Sequence, residues 1–172
     1  MVTLTKKQPA TILDSELQEF LIDRQARNLS PKTLLWYRDS LTLWRDFVVS
    51  HGVQATANVD AGAIRRFLLH LAERGHNAGG VVNIYGAVKA YFTWYGNEYA
   101  PASWSNPLKK VKSPRRPEEI LEPLSLDDFK KLVATCATRA LTDCRDKALL
   151  LFLLDSGARR QELTDLMIGD ID

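Results

Sequence analysis

At 172 residues, with 45% hydrophobic and 26% charged side chains, the chain has the composition of folded globular protein and the length of one large domain or two small ones, which excludes disorder as its main state. No run approaches the eighteen or so consecutive apolar residues that a bilayer-spanning helix needs, and the opening MVTLTKKQPA has no apolar signal segment, so the reading is a cytoplasmic protein with no membrane partner. The net charge of +2 hides an asymmetry: residues 1–106 hold eleven Lys/Arg against nine Asp/Glu, residues 107–117 five against none, and residues 118–172 seven against twelve.

Taken in chain order, residues 12–27 place Leu13, Leu17, Phe20, Leu21 and Arg24 on one stripe of an amphipathic helix. A second helix has Ser30 as cap, Pro31 in its first turn and Gly52 as its stop. Leu34, Tyr37, Leu41, Trp44 and Val48 recur along it at three- and four-residue steps, which assigns the aromatic members to packing and not to base stacking. A third helix runs from about Asp60 to Arg74, buries Ile64, Phe67, Leu68 and Leu71, and ends at Gly75. A fourth runs from about Gly80 to Asn97 and carries Ile84, Val88, Tyr91, Phe92 and Tyr95. Pro101 and Pro107 make APASWSNP irregular, and four helices joined by short turns enclose one small core with no strand pattern.

The segment NPLKKVKSPRRPEEILEP, rich in proline and basic residues, reads as an extended connector. A compact positive stretch between two folded regions suits a phosphate-binding strap, although basic linkers are also often simply solvated. Ser125 opens a further helix with Asp128 three residues on and an apolar face of Phe129, Leu132 and Val133. Asp143 then caps RDKALLLFLLD, which is apolar nearly all round and therefore expected to be buried.

Chemistry-bearing motifs are few. HNAGGVV lacks the lysine and spacing of a phosphate loop and reads as a turn. His51, His70 and His76 have no partners at metal-ligand spacing, and Cys136 and Cys144 read as free thiols of a reducing compartment. No metal, cofactor or small-molecule substrate is implied. What remains is SGARRQEL, where Gly157 ends one helix and Arg159, Arg160, Gln161 and Glu162 begin another. An arginine there can offer its planar fork to a phosphate, or it can pair on the surface with Glu162, Asp155 or Asp165.

RDKALLLFLLDSGARRQELTDLMIGDID resembles the opening of the catalytic domain of tyrosine recombinases, the phage integrase family: a leucine-rich helix, Gly-x-Arg-x-x-Glu-Leu, and a DID-like start to the first strand. LSPKTLLWYRDSLTLWRDFV is similar to the second helix of that family's core-binding domain, NPLKKVKSP to the exit from it, and EPLSLDDFKKLV to the first catalytic helix. The resemblance runs from about residue 12 to the end. It implies an all-α chain as given, with a four-helix, SAM-like core-binding domain over residues 1–107, a basic linker over 108–122, and the first helices of a truncated mixed α/β catalytic domain over 123–172.

By that resemblance Arg159 corresponds to the first arginine of the family's active site, which contacts the scissile phosphate, and Glu162 to the acidic residue that orients it. Ala158 stands where the family has a larger apolar residue, which leaves Arg160 open as the alternative. The family cleaves DNA through a tyrosine that forms a 3′-phosphotyrosyl link, assisted by a hairpin lysine, a His-x-x-Arg and a second His or Trp. No His-x-x-Arg occurs here, and Tyr37, Tyr85, Tyr91, Tyr95 and Tyr99 all precede the catalytic segment. The expectation is a chain that stops where the first strand starts and is inactive alone, the missing part being what covers the leucine-rich helix.

The implied partner is double-stranded DNA, with self-association on DNA in the full-length form. Lys32, Thr33 and Arg38 of the second helix and Lys89 of the fourth would face the major groove; Lys109, Lys110, Lys112, Arg115 and Arg116 would follow the phosphate backbone. The alternatives are a naturally short, non-catalytic module that binds DNA or a full-length recombinase and modulates it, and a helical protein with no role on DNA.

Overall fold

The computed structural model of the chain describes residues 11–117 and 122–170, leaving aside the side chain of Ile168. Among the described residues every regular element is helical and no strand occurs. No helix among them is long and apolar enough to cross a membrane. The chain divides into two compact units, Met1–Glu118 and Glu119–Asp172.

In the first unit, α1 spans Ile12–Ala26, α2 Pro31–Ser50, α3 Ala61–Glu73 and α4 Ala78–Glu98. Each starts at a side chain that satisfies an orphan backbone N–H, as helix ends require. Thr11 Oγ1 accepts from the Asp14 N–H at 3.2 Å while the Asp14 carboxylate accepts from the Thr11 N–H at 2.6 Å. Ser30 caps α2 with Pro31 at its first position, Asp60 caps α3, and Asn77 caps α4. Gly52 and Gly75 follow α2 and α3 at φ values of +80° and +85°, where a side chain would be strained.

The apolar stripes expected from spacing form one core, except that Leu34 of α2 is half-buried and stands outside it. Leu13, Leu17, Phe20, Leu41, Trp44, Val48, Ile64, Phe67, Leu71, Ile84, Val88, Tyr91, Phe92 and Tyr95 are buried together; Leu21, Tyr37 and Leu68 pack against them half-buried. The rings meet edge to face, Trp44 against Phe67 at 5.1 Å and Phe20 against Tyr91 at 5.5 Å, so these aromatics are packing residues. Arg24, on the same stripe of α1, lays its guanidinium 4.6 Å over the Phe20 ring.

One polar network lies inside this core. Thr56 is wholly buried in a short 3-10 turn, Thr56–Asn58, and its N–H and Oγ1 both donate to Glu16 Oε2 at 2.9 and 2.6 Å. Thr56 Oγ1 also meets the Tyr91 hydroxyl. With the Thr56 hydroxyl proton already given to Glu16, the Tyr91 hydroxyl donates to Thr56, and burial pushes the Tyr91 phenol far above its ordinary pKa.

The connector departs from the extended chain expected after Pro107. Pro107–Lys110 forms a 3-10 turn, and Leu108 and Val111 are both buried in the first unit. Their three-residue spacing puts two apolar side chains on one side of that turn, which outweighs the proline and lysine content around them. Packing of the first unit thus carries past residue 107. The last part of the expected linker, residues 118–121, lies outside the described residues.

In the second unit, α5 spans Leu126–Ala134, α6 Leu141–Ser156 and α7 Arg160–Thr164, followed by a 3-10 turn at Ile168–Asp170. Ser125 caps α5 as expected, its Oγ accepting from the Asp128 N–H at 3.1 Å. Asp143 does not cap α6. The N-cap is Ala140, and Asp143 in the first turn accepts instead from Thr138 N–H and Oγ1 at 3.0 and 2.7 Å. Nor is α6 buried: Leu151 is 46% and Leu154 52% exposed, and Phe129 is the one buried residue of this unit among those described. Two short helices beside a sixteen-residue one supply too little apolar surface to cover it on every side. Of the expected strand start, Asp170 lies in the 3-10 turn, and Ile171 and Asp172 lie outside the described residues.

Candidate nucleic-acid interface

The candidate basic residues fall on three parts of the first unit. Lys32 and Thr33 occupy the first turn of α2; Lys32 is exposed, but Thr33 Oγ1 is engaged with Ser30 Oγ at 2.8 Å as part of the cap. Arg38, one turn on, is exposed along a shallow groove of about 310 Å³ between α1 and α2, which it shares with Gln18, Thr42 and the Asp14–Arg45 ion pair. Lys89 is exposed on α4.

Lys109, Lys110, Lys112, Arg115 and Arg116 are all exposed, on a connector held against the unit. Lys110 and Lys112 border a groove of about 660 Å³ whose apolar floor includes Leu68, Val81 and Val111. The same groove is lined by Arg65 of α3, which the sequence reading passed over. Arg65 Nη2 donates to the Lys110 carbonyl at 2.7 Å, and Tyr85 Oη donates to the Val111 carbonyl at 3.3 Å. Neither residue carried a local signal, since the bonds join residues 45 and 26 positions apart. Farther along, a β-carbon at Gly79 would lie 3.7 Å from Arg116 Nε, which sets that guanidinium beside the first turn of α4, where the helix's unpaired N–H groups already favour anions.

Electrostatic pairing separates these residues from other cations of the unit. Arg24, Arg27, Arg45 and Arg66 each lie within ion-pair distance of an aspartate. Among the described residues, Lys32, Arg38, Lys89, Lys109, Lys110, Lys112, Arg115 and Arg116 have no such partner. Their charge is therefore uncompensated locally and open to solvent, which is the condition for attracting a polyanion.

Within the second unit, Gly157 turns the chain at φ +62° and Arg159 stands as the N-cap of α7. Glu162 engages Arg159 twice, its Oε2 accepting from the Arg159 N–H at 2.7 Å and its Oε1 from Nη1 at 3.0 Å. Of the surface partners that the sequence allows, Glu162 is the one used; Asp165 accepts from Gln161 instead, at 2.9 Å. The Arg159 side chain remains 86% exposed, and its Nε and Nη2 have no partner among the described residues. So exposed a pair is weak, and it leaves one edge of the fork for another acceptor. Arg160 is also exposed and without an ion pair among the described residues. No cluster of three or more His, Cys, Asp or Glu among the described residues could hold a metal.

Residues 17–98 match the family described as phage integrase, N-terminal SAM-like domain. The chain is similar to tyrosine recombinase XerC of Shigella flexneri serotype 5b (strain 8401), with 29% identity over 146 residues, covering 85% of this chain and 48% of the relative. It is equally similar to XerC of Escherichia coli O6:K15:H31 (strain 536 / UPEC), with the same identity and coverage. The chain spans about half the length of the curated relatives it matches. Its fold is similar to that of a lambda integrase dimer bound to a COC′ core site, with TM-score 0.75 and 17% identity over 93% of this chain and 43% of the other. The integrase from mycobacterium phage Brujita aligns with TM-score 0.51 and 24% identity over 84% of this chain and 46% of its own.

Proposed function

We propose that the chain belongs to the tyrosine recombinase family, that its first unit, which matches the phage-integrase SAM-like domain, binds double-stranded DNA, and that its second is the start of a recombinase catalytic domain. The observation that carries this reading is the set of exposed, locally uncompensated cations, above all the five on the connector at residues 107–117. Lysine and arginine that meet phosphates release condensed counterions, so binding is strong at low salt and largely indifferent to sequence.

Lys32 and Arg38 on α2 and Lys89 on α4 are the residues that would approach base edges or flanking phosphates. Thr33, with its hydroxyl committed to the cap, contributes chiefly by holding the start of α2. In the second unit, Glu162 would orient Arg159 so that the free edge of its fork donates to a scissile phosphate. Residues 1–172 would bind DNA without cutting it.

The test is duplex binding by the 172-residue chain across salt concentrations. If all five connector cations meet phosphates, the log-log slope is about −4.5, and affinity falls several-hundredfold between about 50 and 200 mM salt. Changing Lys109, Lys110, Lys112, Arg115 and Arg116 to alanine should weaken binding to unrelated duplexes alike. An unchanged isotherm at low salt would remove the connector from the interface.

A further inference from the structure

The connector is rich in proline and lysine, and such a chain in isolation would sample many conformations. In this fold its first half is gripped. Pro107 and Leu108 are buried at the start of the 3-10 turn and Val111 just after it. Two successive carbonyls here, those of Lys110 and Val111, are each bonded by a side chain from a different helix. Arg65 reaches the first from α3, and Tyr85, itself buried, reaches the second from α4. With the backbone tied inward at these points, the lysines at 109, 110 and 112 have only the solvent side to occupy, and all three are exposed.

Arg65 also differs from its neighbour. Arg66 lies 3.9 Å from Asp60, whereas Arg65 has no acidic partner among the described residues and bonds a backbone carbonyl. A guanidinium that donates to a neutral main-chain acceptor serves backbone geometry more than charge balance.

We propose that Arg65, acting together with Tyr85, is a positioning residue that holds the connector in a fixed path, so that Lys109, Lys110 and Lys112 meet a phosphate backbone as one prearranged set. The physical gain is preorganisation. A free tether loses backbone and side-chain freedom when its charges dock, whereas a tethered one has already lost it on folding. The inference rests on the DNA-binding reading above and adds to it residues that hold the interface without supplying its main contacts.

Two variants of the full 172-residue chain separate positioning from a direct phosphate contact by Arg65. Arg65→Lys keeps the positive charge but loses the planar fork that reaches the Lys110 carbonyl. Tyr85→Phe removes one hydroxyl and no charge. Positioning predicts that each lowers duplex affinity by about three- to fivefold and the pair together by about tenfold, as expected when several side chains must be ordered on binding. It also predicts a shallower salt slope for both, because a loosened connector meets fewer phosphates at once, each worth about 0.9 in slope. If Arg65 only touched a phosphate itself, Arg65→Lys would bind with the parent's slope and Tyr85→Phe would be silent, and either result overturns the proposal.

A second readout needs no DNA. Trypsin should cut after Lys109, Lys110 and Lys112 faster in both variants than in the parent, with cutting in α5 and α6 unchanged and the helical circular dichroism retained. Unaltered cleavage at those three lysines sinks the positioning role even if binding is impaired. Conversely, a parent chain that fails to bind any duplex at low salt sinks the DNA reading while leaving the proteolysis comparison valid.

Discussion

Asp14 shows how much one side chain can be asked to do in this fold. It closes the cap of α1 with Thr11 and accepts from Arg45 of α2 at 2.8 and 3.3 Å. Burial alone would raise its pKa, but the hydrogen bonds from Arg45 and Thr11 outweigh that and hold the carboxyl below the usual range. A carboxyl depressed in the folded state stabilises it at pH values above the ordinary carboxylate value of about 3.9, and the contribution is lost as pH falls through the lower folded value. We expect Asp14→Asn to cost about 1–2 kcal/mol at pH 7, from the cap and the partly buried ion pair together. Urea titrations should show that difference shrinking as pH is taken below 4, and a difference that stays constant in acid would show that the charge is not what matters. Arg159 makes the opposite point. Its place at a helix start was legible, with Glu162 as one of three acidic partners that the sequence allowed, but Thr33, expected to face the major groove, has its hydroxyl tied to Ser30 in the fold.

Among the glycines of the first unit, Gly96 of α4 has the tightest surroundings. A β-carbon at Gly96 would lie 2.9 Å from Trp104 Cζ3, because the loop after the helix folds Trp104 back over Gly96 and edge-on to Tyr95 at 5.2 Å. Gly86, in the same helix, has nothing within 4 Å of the same position. Alanine is favoured over glycine in a helix interior by about 1 kcal/mol, and crowding a packed site costs about 1–3 kcal/mol. The two substitutions should therefore differ in sign: Gly86→Ala raises the melting temperature and Gly96→Ala lowers it. Equal effects at both positions would mean that Trp104 moves aside freely. The stripes of α1 to α4 were readable because burial repeats at the helical period. The burial of Leu108 and Val111 was not, since a four-residue 3-10 turn is too short to display a period among lysines and prolines.

At the scale of the whole molecule, strand cleavage by a recombinase needs a positioned nucleophile and phosphate-stabilising charges acting together, and the members of such a set do not substitute for one another. All five tyrosines lie in the first unit, three of them, Tyr85, Tyr91 and Tyr95, buried in its core. Mixing residues 1–172 with a nicked duplex that traps covalent intermediates should leave the DNA free in denaturing gels; a protein-linked strand would mean that Tyr37 or Tyr99 can act as the nucleophile. The sequence by itself determined the helix starts at Ser30, Asp60 and Ser125, the turns at Gly52, Gly75 and Gly157, and the apolar stripes of α1 to α4, because caps, left-handed turns and apolar stripes are set by neighbours within about one helical turn. Only the tertiary structure decided that Thr56 joins Glu16 to Tyr91, and that the basic connector is held by Arg65 and Tyr85. Each depends on which surfaces meet across tens of residues, and no local pattern carries that information.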